Sequence, residues 1–197
     1  MAIAALLLAG GESSRMGTPK PLLEWGGYTL IEYQLTQLKG PPVDRLVVVL
    51  GHRADEVRPY VQRAGAQAVV NELYAEGRAS SVRVGAAALG NDTEAVLVLN
   101  VDQPRPHAVI ERLVGEHRRL GGLITVPAYE GRRGHPPLFA GTLLPELREA
   151  REETQGLREV MRRHEGEVSE VSFDTPVVLL DINQPQEYER ARASYFQ

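Results

Sequence analysis

The stretch that decides the fold is Ile3-Ala-Ala-Leu-Leu-Leu-Ala-Gly-Gly-Glu-Ser-Ser-Arg-Met-Gly-Thr-Pro-Lys20. Its apolar part, residues 3–9, predicts a buried strand, because it is short, carries no charge and stops at two glycines. Glycines let the backbone approach a ligand closely and point successive N–H groups towards phosphate oxygens. Arg15 and Lys20 add countercharge. The segment after the strand therefore predicts a loop that binds a triphosphate.

Two common glycine motifs do not fit this loop. A P-loop needs a Gly-Lys-Ser/Thr run, whereas two residues separate Gly17 from Lys20. The dinucleotide fingerprint needs G-x-G-x-x-G and an acid after the second strand, which here ends Leu50-Gly-His52. A surface loop with chance charges is the remaining alternative. Connections of this length are usually functional, however, since most run about 2 to 6 residues.

Composition limits the classes of protein that the chain can belong to. Its 197 residues are 43% hydrophobic and 24% charged, which is ordinary for a globular protein and predicts one domain over residues 1–197. The formal net charge of −4 argues against nucleic-acid binding, so a polyanionic ligand would be small and held by local cations. The chain has no cysteine, which excludes disulfides and a thiolate nucleophile. The N-terminus has neither a charged start nor a long apolar span, so we expect a cytoplasmic protein that binds no membrane. The oligomeric state stays open.

Apolar periodicity predicts strands and helices in alternation up to residue 126. The predicted strands are residues 3–9, 45–50, 67–70, 95–99 and 123–126. The predicted helices are residues 29–38, residues 55–63 with Pro59 shortening or kinking them, a helix from Ser81 with Ser80 or Ser81 as N-cap, and a helix around 110–117. This alternation is typical of a mostly parallel sheet between two helical layers, so we predict a three-layer α/β fold.

The pattern changes beyond residue 127. Arg132-Arg-Gly-His-Pro-Pro137 predicts a loop, because its glycine and prolines exclude a helix there. Further helices are predicted at 142–151, 156–164 and about 186–195, and further strands at 168–172 and 177–180. No repeat, low-complexity segment or linker marks a domain boundary.

Polar residues follow two of the predicted strands. Asn100-Val-Asp-Gln-Pro104 places Asp102 at a strand's carboxyl end, where open α/β sheets bind their ligands. One carboxylate with phosphate oxygens can hold Mg²⁺, although Asp-x-Pro also initiates turns, and spacing alone favours neither interpretation. Leu180-Asp-Ile-Asn-Gln-Pro185 supplies a second set of oxygens. If this segment is extended, only one of Asp181 and Asn183 can face the ion.

Two more polar segments have both a functional and a structural interpretation. Ala79-Ser-Ser-Val-Arg83 follows a glycine and could present N–H and hydroxyl groups to a base or phosphate, although plain helix capping explains the serines better when they are considered alone. The cations of residues 132–135 could hold a substrate phosphate or could form a solvated charge cluster.

Leu8-Ala-Gly-Gly-Glu-Ser-Ser-Arg-Met-Gly-Thr-Pro-Lys20 resembles the signature of the molybdopterin nucleotidyltransferases, which transfer GMP or CMP to molybdenum cofactor, and of the wider NTP-transferase superfamily. Asp102-Gln-Pro, Gly134-His-Pro and Asn183-Gln-Pro follow in the family's order. The resemblance implies a Rossmann-like nucleotidyltransferase fold, an NTP and a phosphorylated pterin as substrates, and Mg²⁺ as cofactor. The chain departs from the family at Val101, where glycine is usual, and at 154–158, which lacks the acid of G-D-x-G-x-R.

The resemblance also implies roles for single residues. The implied catalytic residues are Arg15 on the β- and γ-phosphates, Lys20 on the α-phosphoryl charge, and Asp102 on the metal. The nucleotide-binding set consists of those three residues together with Leu8, Ala9, Gly10, Gly11, Asn71, Ser80 and Ser81. Asn183 is implied as the second metal ligand in preference to Asp181, for which a turn or a helix cap is the simpler interpretation. Arg133, Gly134 and His135 resemble the acceptor-binding loop of the cytidylyl branch.

The resemblance to the two branches is divided. Ala9-Gly-Gly11 and Asn183 resemble the guanylyl branch, and room at Gly10 would suit a purine. The segments 79–83 and 134–139 resemble the cytidylyl branch and are longer matches, so we favour CTP over GTP. A sugar-phosphate nucleotidyltransferase and a non-catalytic nucleotide-binding chaperone for the cofactor are the alternatives, because both would keep the loop.

Overall fold

The computed structural model describes residues 1–12, 17–153 and 156–196. The strands in these ranges are β1 (Ala2–Ala9), β2 (Glu24–Trp25), β3 (Tyr28–Thr29), β4 (Arg45–Leu50), β5 (Gln67–Val70), β6 (Thr93–Asn100), β7 (Ile124–Tyr129), β8 (Arg132–Arg133), β9 (Leu138–Ala140) and β10 (Val168–Ser172). The α-helices are α1 (Leu30–Leu38), α2 (Ala54–Arg63), α3 (Arg78–Ala87), α4 (His107–Leu120), α5 (Leu144–Arg148), α6 (Leu157–Arg163) and α7 (Pro185–Tyr195). None of the helices in the described ranges has the length and apolar character needed to cross a membrane.

The main sheet has the strand order β10-β7-β9-β6-β1-β4-β5, with β8 paired to the edge of β7. Strand β1 lies in the middle and runs parallel to both β6 and β4. Only β8 and β9 run against their neighbours among the strands of this sheet that the structure describes. The predicted mostly parallel sheet is therefore confirmed.

Strand β1 is apolar at every position because both of its faces are covered. Side chains alternate between the two faces of a strand, so a central strand buried on both sides needs an unbroken apolar run. Ala5 and Leu7 pack into one core with α1, α2, α4 and α7. Leu6 and Leu8 pack into the other core with α3, α5 and α6. The three-layer α/β fold predicted from the sequence is confirmed.

Helix α3 begins earlier than predicted. It starts at Arg78, and its N-cap is Gly77, which has a φ of 111° and provides no capping side chain. Ser80 and Ser81 lie in the first turn and are buried, so the prediction of either serine as N-cap is wrong. Glycine tolerates this positive φ and allows the chain to turn sharply into the helix.

The strand predicted at residues 177–180 is absent. Pro176–Leu179 forms a 3-10 turn instead, capped by the Thr175 hydroxyl, which accepts a hydrogen bond from the Val177 N–H at 3.3 Å. The carbonyls of Val178 and Leu180 accept hydrogen bonds from the Arg105 side chain. A side chain distant in sequence thus provides the bonds that a neighbouring strand would otherwise make.

Other predicted boundaries also shift. The helix predicted at 142–151 consists of a 3-10 turn, Gly141–Leu143, followed by the short α5. The loop predicted at 132–137 contains β8, and β9 follows it directly, so this part of the chain joins the sheet as two short antiparallel strands. Helix α2 runs through Pro59 over ten residues.

Candidate functional site

The segments that follow β1 and β6 reach the same edge of the sheet, because these strands are parallel neighbours. They border a cleft of about 490 Å³. Four residues predicted to bind the nucleotide, Leu8, Ala9, Gly10 and Gly11, line this cleft. Arg15 falls outside the described residues, so its predicted position beside the cleft stays a prediction.

Gly10 is required by close backbone packing. A Cβ on Gly10 would lie 3.1 Å from the backbone nitrogen of Gly51, and its carbonyl accepts a hydrogen bond from the His52 N–H at 3.0 Å. That Cβ would point towards Gly51, which follows β4. The expectation that Gly10 leaves room for a purine is therefore wrong, since the missing side chain makes space for another part of the backbone.

Lys20, Asp102 and Asn183 form a compact group in the cleft. The Lys20 ammonium donates to Asp102 Oδ2 at 2.5 Å and to Asn183 Oδ1 at 3.0 Å. The Lys20 and Asp102 side chains are only 15% and 17% exposed, so solvent screens their ion pair weakly. Three segments far apart in sequence, each predicted to contribute to the site, are thus brought together.

The Asp102 carboxylate has one oxygen without a partner. Its Oδ1 is buried and makes no hydrogen bond to any residue that the structure describes. Burial raises the pKa of Asp102, the Lys20 ammonium opposes this rise, and the negative charge of Asp181 adds to it. An unsatisfied buried carboxylate oxygen is costly unless a ligand completes it.

These oxygens fit a hard divalent cation that a bound phosphate also coordinates. Asp181 and Asn183 line the same cleft as Asp102, so carboxylate and amide oxygens converge there. Within the described ranges, no cluster of three or more His, Cys, Asp or Glu side chains could hold a metal alone. Mg²⁺ commonly takes one or two protein carboxylates and completes its shell with water and substrate phosphate, so this donor set suits it.

Asn71, Ser80 and Ser81 form a hydrogen-bonded cluster beside the cleft. The Asn71 amide donates to Ser80 Oγ at 2.8 Å and to Ser81 Oγ at 3.0 Å. The Ser80 hydroxyl in turn bonds the carbonyl of Gly77 at 2.7 Å. Of these three residues, Ser81 lines the cleft. Asn71 and Ser80 stabilise the turn that leads into α3.

A second cavity of about 270 Å³ adjoins the cleft. Arg78, Asn100 and Asp181 line both spaces. Arg158 and His135 line only the second. Two ligands could therefore lie side by side with their polar ends near Asp181. The sequence reasoning gave no role to Arg78 or Arg158.

Gly134 and His135 form part of the second cavity's wall. A Cβ on Gly134 would lie 2.3 Å from the Val178 carbonyl oxygen, so only glycine fits there. The next peptide N–H, that of His135, donates to the same Val178 oxygen at 2.8 Å. Burial and the charges of Arg105 and Arg78 lower the pKa of His135 to about 4, so its imidazole is neutral near pH 7.

Arg133 lies at the rim of the second cavity, but its charge is neutralised by the protein. Its guanidinium bonds Glu170 at 2.7 Å and Glu165 at 2.8 Å. These two carboxylates make Arg133 a weaker candidate for a substrate phosphate than the sequence suggested.

Arg105 holds together the backbone segments that carry the site residues, and the sequence assigned no role to it. It is fully buried, and its guanidinium donates to four backbone carbonyls, those of His135, Pro104, Val178 and Leu180, at 2.8 to 3.0 Å. Burial lowers the pKa of Arg105 to about 10. Its place directly after Asp102-Gln-Pro was the only available signal, because a lone arginine in sequence gives no sign of burial.

Sequence comparison relates the chain to known proteins. Residues 5–168 match the model of the family described as MobA-like NTP transferase domain. The molybdenum cofactor cytidylyltransferase of Escherichia coli K12 is 27% identical over 197 residues, covering 98% of this chain and 97% of that protein. Nicotine blue oxidoreductase of Paenarthrobacter nicotinovorans is 31% identical over 170 residues, covering 82% of each protein.

Solved structures agree with the family match. Rv0371c from Mycobacterium tuberculosis H37Rv superposes with a TM-score of 0.85 at 28% identity, covering 98% of this chain and 99% of that one. Its crystal structure in complex with manganese superposes with a TM-score of 0.82 at 26% identity, covering 98% and 100%. The family match spans most of the chain and includes most of β1, all of β6 and the residues lining the cleft except Asp181 and Asn183. This chain therefore belongs to the MobA-like NTP transferase family and is a nucleotidyltransferase.

Proposed function

We propose that this enzyme transfers CMP from CTP to the phosphate of molybdopterin or molybdenum cofactor and releases pyrophosphate. The observation that carries this proposal is the pair of adjoining cavities, of which the larger is lined by the hydrogen-bonded group of Lys20, Asp102 and Asn183. One space suits a nucleotide and the other a second, anionic substrate. Reaction between the two substrates requires mainly that their reacting atoms be held next to each other in the right orientation.

The glycine loop and its cations would hold the triphosphate. Gly10 and Gly11 line the cleft, where backbone N–H groups would bind phosphate oxygens, and Arg15 would bind the β- and γ-phosphates. Lys20, placed between Asp102 and Asn183, would meet the charge that develops at the α-phosphoryl group.

Asp102 and Asn183 are proposed to hold Mg²⁺, with Asp181 close enough to contribute. The unpartnered Oδ1 of Asp102 supports this role. When bound there, the cation would supply neutralisation of the phosphate charge. Binding of Mg²⁺ to Asp102 and Asn183 would require the Lys20 ammonium to give up part of its contact with Asp102 and to turn towards the phosphates.

The proposed reaction forms one P–O bond and breaks another. An oxygen of the acceptor phosphate attacks the α-phosphorus, and the bond from that phosphorus to the bridging oxygen of the β-phosphate breaks. The bonding electrons leave with pyrophosphate. A phosphate oxygen is already ionised at neutral pH, so the attack needs no general base. The neutral His135 could donate a hydrogen bond to the acceptor.

Support for CTP comes from two sequence comparisons, one of single segments and one of the whole chain. The segments 79–83 and 134–139 border the two cavities and resemble the cytidylyl branch. The Escherichia coli relative named as a molybdenum cofactor cytidylyltransferase aligns over nearly the whole chain. The purine argument from Gly10 falls away, because Gly51 fills that direction. Asn183 is the remaining resemblance to the guanylyl branch.

Pyrophosphate release tests the proposal. We expect kcat/KM with molybdopterin to be at least about tenfold higher for CTP than for GTP, because a pocket built on base-edge hydrogen bonds rejects a base that leaves them unpaired. A clear GTP preference would contradict the CTP assignment. Turnover with hexose 1-phosphates in place of molybdopterin would indicate a sugar-phosphate enzyme. Nucleotide binding without turnover on either acceptor would indicate a chaperone.

A further inference from the structure

Two arginines meet in the second cavity. Arg78 begins α3, Arg158 lies in the first turn of α6, and both line this space. Burial lowers the pKa of Arg78, and the positive charge of Arg158 lowers it further, so the two guanidinium groups are close enough to repel each other. Two like charges facing one concavity repel each other, and an anion placed between them would relieve that cost.

These two arginines differ from most others in the chain. Arg133 binds Glu165 and Glu170, and Arg118 binds Glu94 at 2.7 Å. Neither the Arg78 nor the Arg158 guanidinium forms a hydrogen bond or a direct ion pair with another residue in the described ranges. Their donors are therefore available to a ligand, whereas those of Arg133 are already used.

The charges around the pair leave a positive excess. Asp181 lines the same cavity, and the negative charges of Asp102 and Glu152, which do not line it, also act on Arg78. Asp102 is paired with Lys20, and the Glu152 carboxylate accepts a hydrogen bond from the Ala79 N–H at 2.8 Å. Because Arg133, the third arginine of the lining, is already paired with Glu165 and Glu170, the guanidinium groups of Arg78 and Arg158 face one lining carboxylate. A phosphate monoester, which carries close to two negative charges at neutral pH, would balance this excess, and its oxygens match the planar fork of each arginine.

The two arginines lie where an acceptor phosphate would have to be held for transfer from a nucleotide in the cleft. Arg78 lines both the cleft and the second cavity, whereas Arg158 lines only the second. We propose that Arg78 and Arg158 form a subsite for the phosphomonoester of the acceptor, which holds that phosphate beside the nucleotide cleft. The identity of the acceptor as a phosphorylated pterin rests on the proposed function, but binding of a phosphomonoester at this pair does not.

Calorimetry with a simple phosphomonoester tests the subsite directly. The full chain is saturated with Mg²⁺ and a non-hydrolysable α,β-methylene analogue of CTP, or of GTP if that analogue binds more tightly, and is titrated with phenyl phosphate. We expect Arg158→Gln to weaken phenyl phosphate binding about tenfold or more and to leave the affinity for the analogue within about twofold. Arg78→Gln should weaken both ligands. Arg162→Gln is the matched control, since Arg162 lies one turn further along α6 and is paired with Glu159.

Several results would overturn the subsite. Examples are no phenyl phosphate binding to the wild type, equal affinity in Arg158→Gln, or displacement of phenyl phosphate by the nucleotide analogue. Arg158→Lys, which keeps the charge without the planar fork, should bind phenyl phosphate with an intermediate affinity. If this variant loses as much affinity for phenyl phosphate as Arg158→Gln and also unfolds at a lower temperature, the variants act through the fold and not through the subsite.

Steady-state kinetics separate failure of the subsite from failure of the proposed function. In turnover with molybdopterin, Arg158→Gln should raise the KM for the acceptor about tenfold and leave the KM for CTP unchanged. If pyrophosphate is released normally by this variant, the proposed function stands and the subsite is wrong. If the wild type binds phenyl phosphate through Arg158 but does not use molybdopterin, the subsite stands and the proposed acceptor is wrong.

Discussion

Lys20 is the residue on which the chemistry most depends, because it joins the glycine loop to Asp102, which follows β6, and to Asn183, which follows the 3-10 turn Pro176–Leu179. Its ammonium bonds Asp102 and Asn183, the latter 163 positions away in the chain. A cation in this place can serve the ground state, by binding phosphate, or the transition state, by meeting charge that develops during transfer. Only the second role raises kcat.

We expect Lys20→Ala to lower kcat about 100-fold while changing nucleotide affinity only a few-fold, as for the loss of one preorganised donor to a developing charge. Lys39→Ala is the control, since Lys39 is exposed at the end of α1 and does not line the cleft. Stopped-flow measurement of pyrophosphate release gives kcat, and calorimetry gives affinity. Equal losses in both quantities would place Lys20 in ground-state binding.

Single residues of the site could be predicted where a local sequence signal or a family motif marks them, and not where tertiary partners decide. Lys20 follows the glycine signal, Asp102 follows a predicted strand and Asn183 lies in a segment that resembles the family motif, and the three meet in the structure. The sequence could not indicate that Glu165 and Glu170 neutralise Arg133, because both lie over 30 residues away. Whether the Arg158 guanidinium is left to bind a ligand likewise depends on which carboxylates the fold places near it.

At the scale of elements, Arg105 joins segments that no regular hydrogen-bond ladder connects. Four hydrogen bonds from its guanidinium reach the turn after Asp102, the His135 loop and the 178–180 segment. This explains why the apolar stretch at 177–180 was wrongly predicted as a strand. Its carbonyls are satisfied by a buried side chain, and periodicity carries no information about such a partner.

Arg105→Met should lower the free energy of unfolding by about 3 kcal/mol or more, since a buried carbonyl left without a donor costs about 1 to 3 kcal/mol and several would lose theirs. Arg112→Met is the matched control, because Arg112 is exposed, bonds one carbonyl, that of Ser172, and stacks on Phe173. Urea unfolding followed by circular dichroism measures both variants. A loss no larger than that of Arg112→Met would mean that Arg105 does not hold these segments together.

For the whole molecule, the alternation of strands and helices along the chain made the three layers predictable. The short antiparallel strands that interrupt this alternation could not be predicted. Strand β1 is apolar throughout because helices cover both faces, so the sequence carries that signal at every position. Strand β9 has three residues and pairs antiparallel with β6 and β7. So short an element lacks a detectable period, and its place in the sheet depends on neighbours that are distant in sequence.

Residues from the N-terminal and C-terminal parts of the chain line the cleft, so a ligand that fills it should stabilise the entire fold. Lys20 and Asn183 meet there, and the Asn183 N–H is fixed at 2.8 Å by Glu187 in the first turn of α7. A ligand that binds only the folded state stabilises it by about 2.7 kcal/mol at 100 times its Kd. If Asp102 needs a cation to complete its unpartnered oxygen, much of that stabilisation depends on Mg²⁺.

We therefore expect the preferred NTP with Mg²⁺, at about 100 times its Kd, to raise the unfolding midpoint by about 5 to 10 °C, whereas the same NTP with EDTA raises it far less. In Asp102→Asn, which keeps the shape of the side chain and loses its charge, the midpoint with NTP should no longer depend on Mg²⁺. Differential scanning calorimetry measures the shift, and Asp92→Asn, a change to an exposed aspartate paired with Arg45, is the control. A shift that is as large in EDTA as in Mg²⁺ would remove Asp102 from the metal site, because the nucleotide would then bind without a cation there.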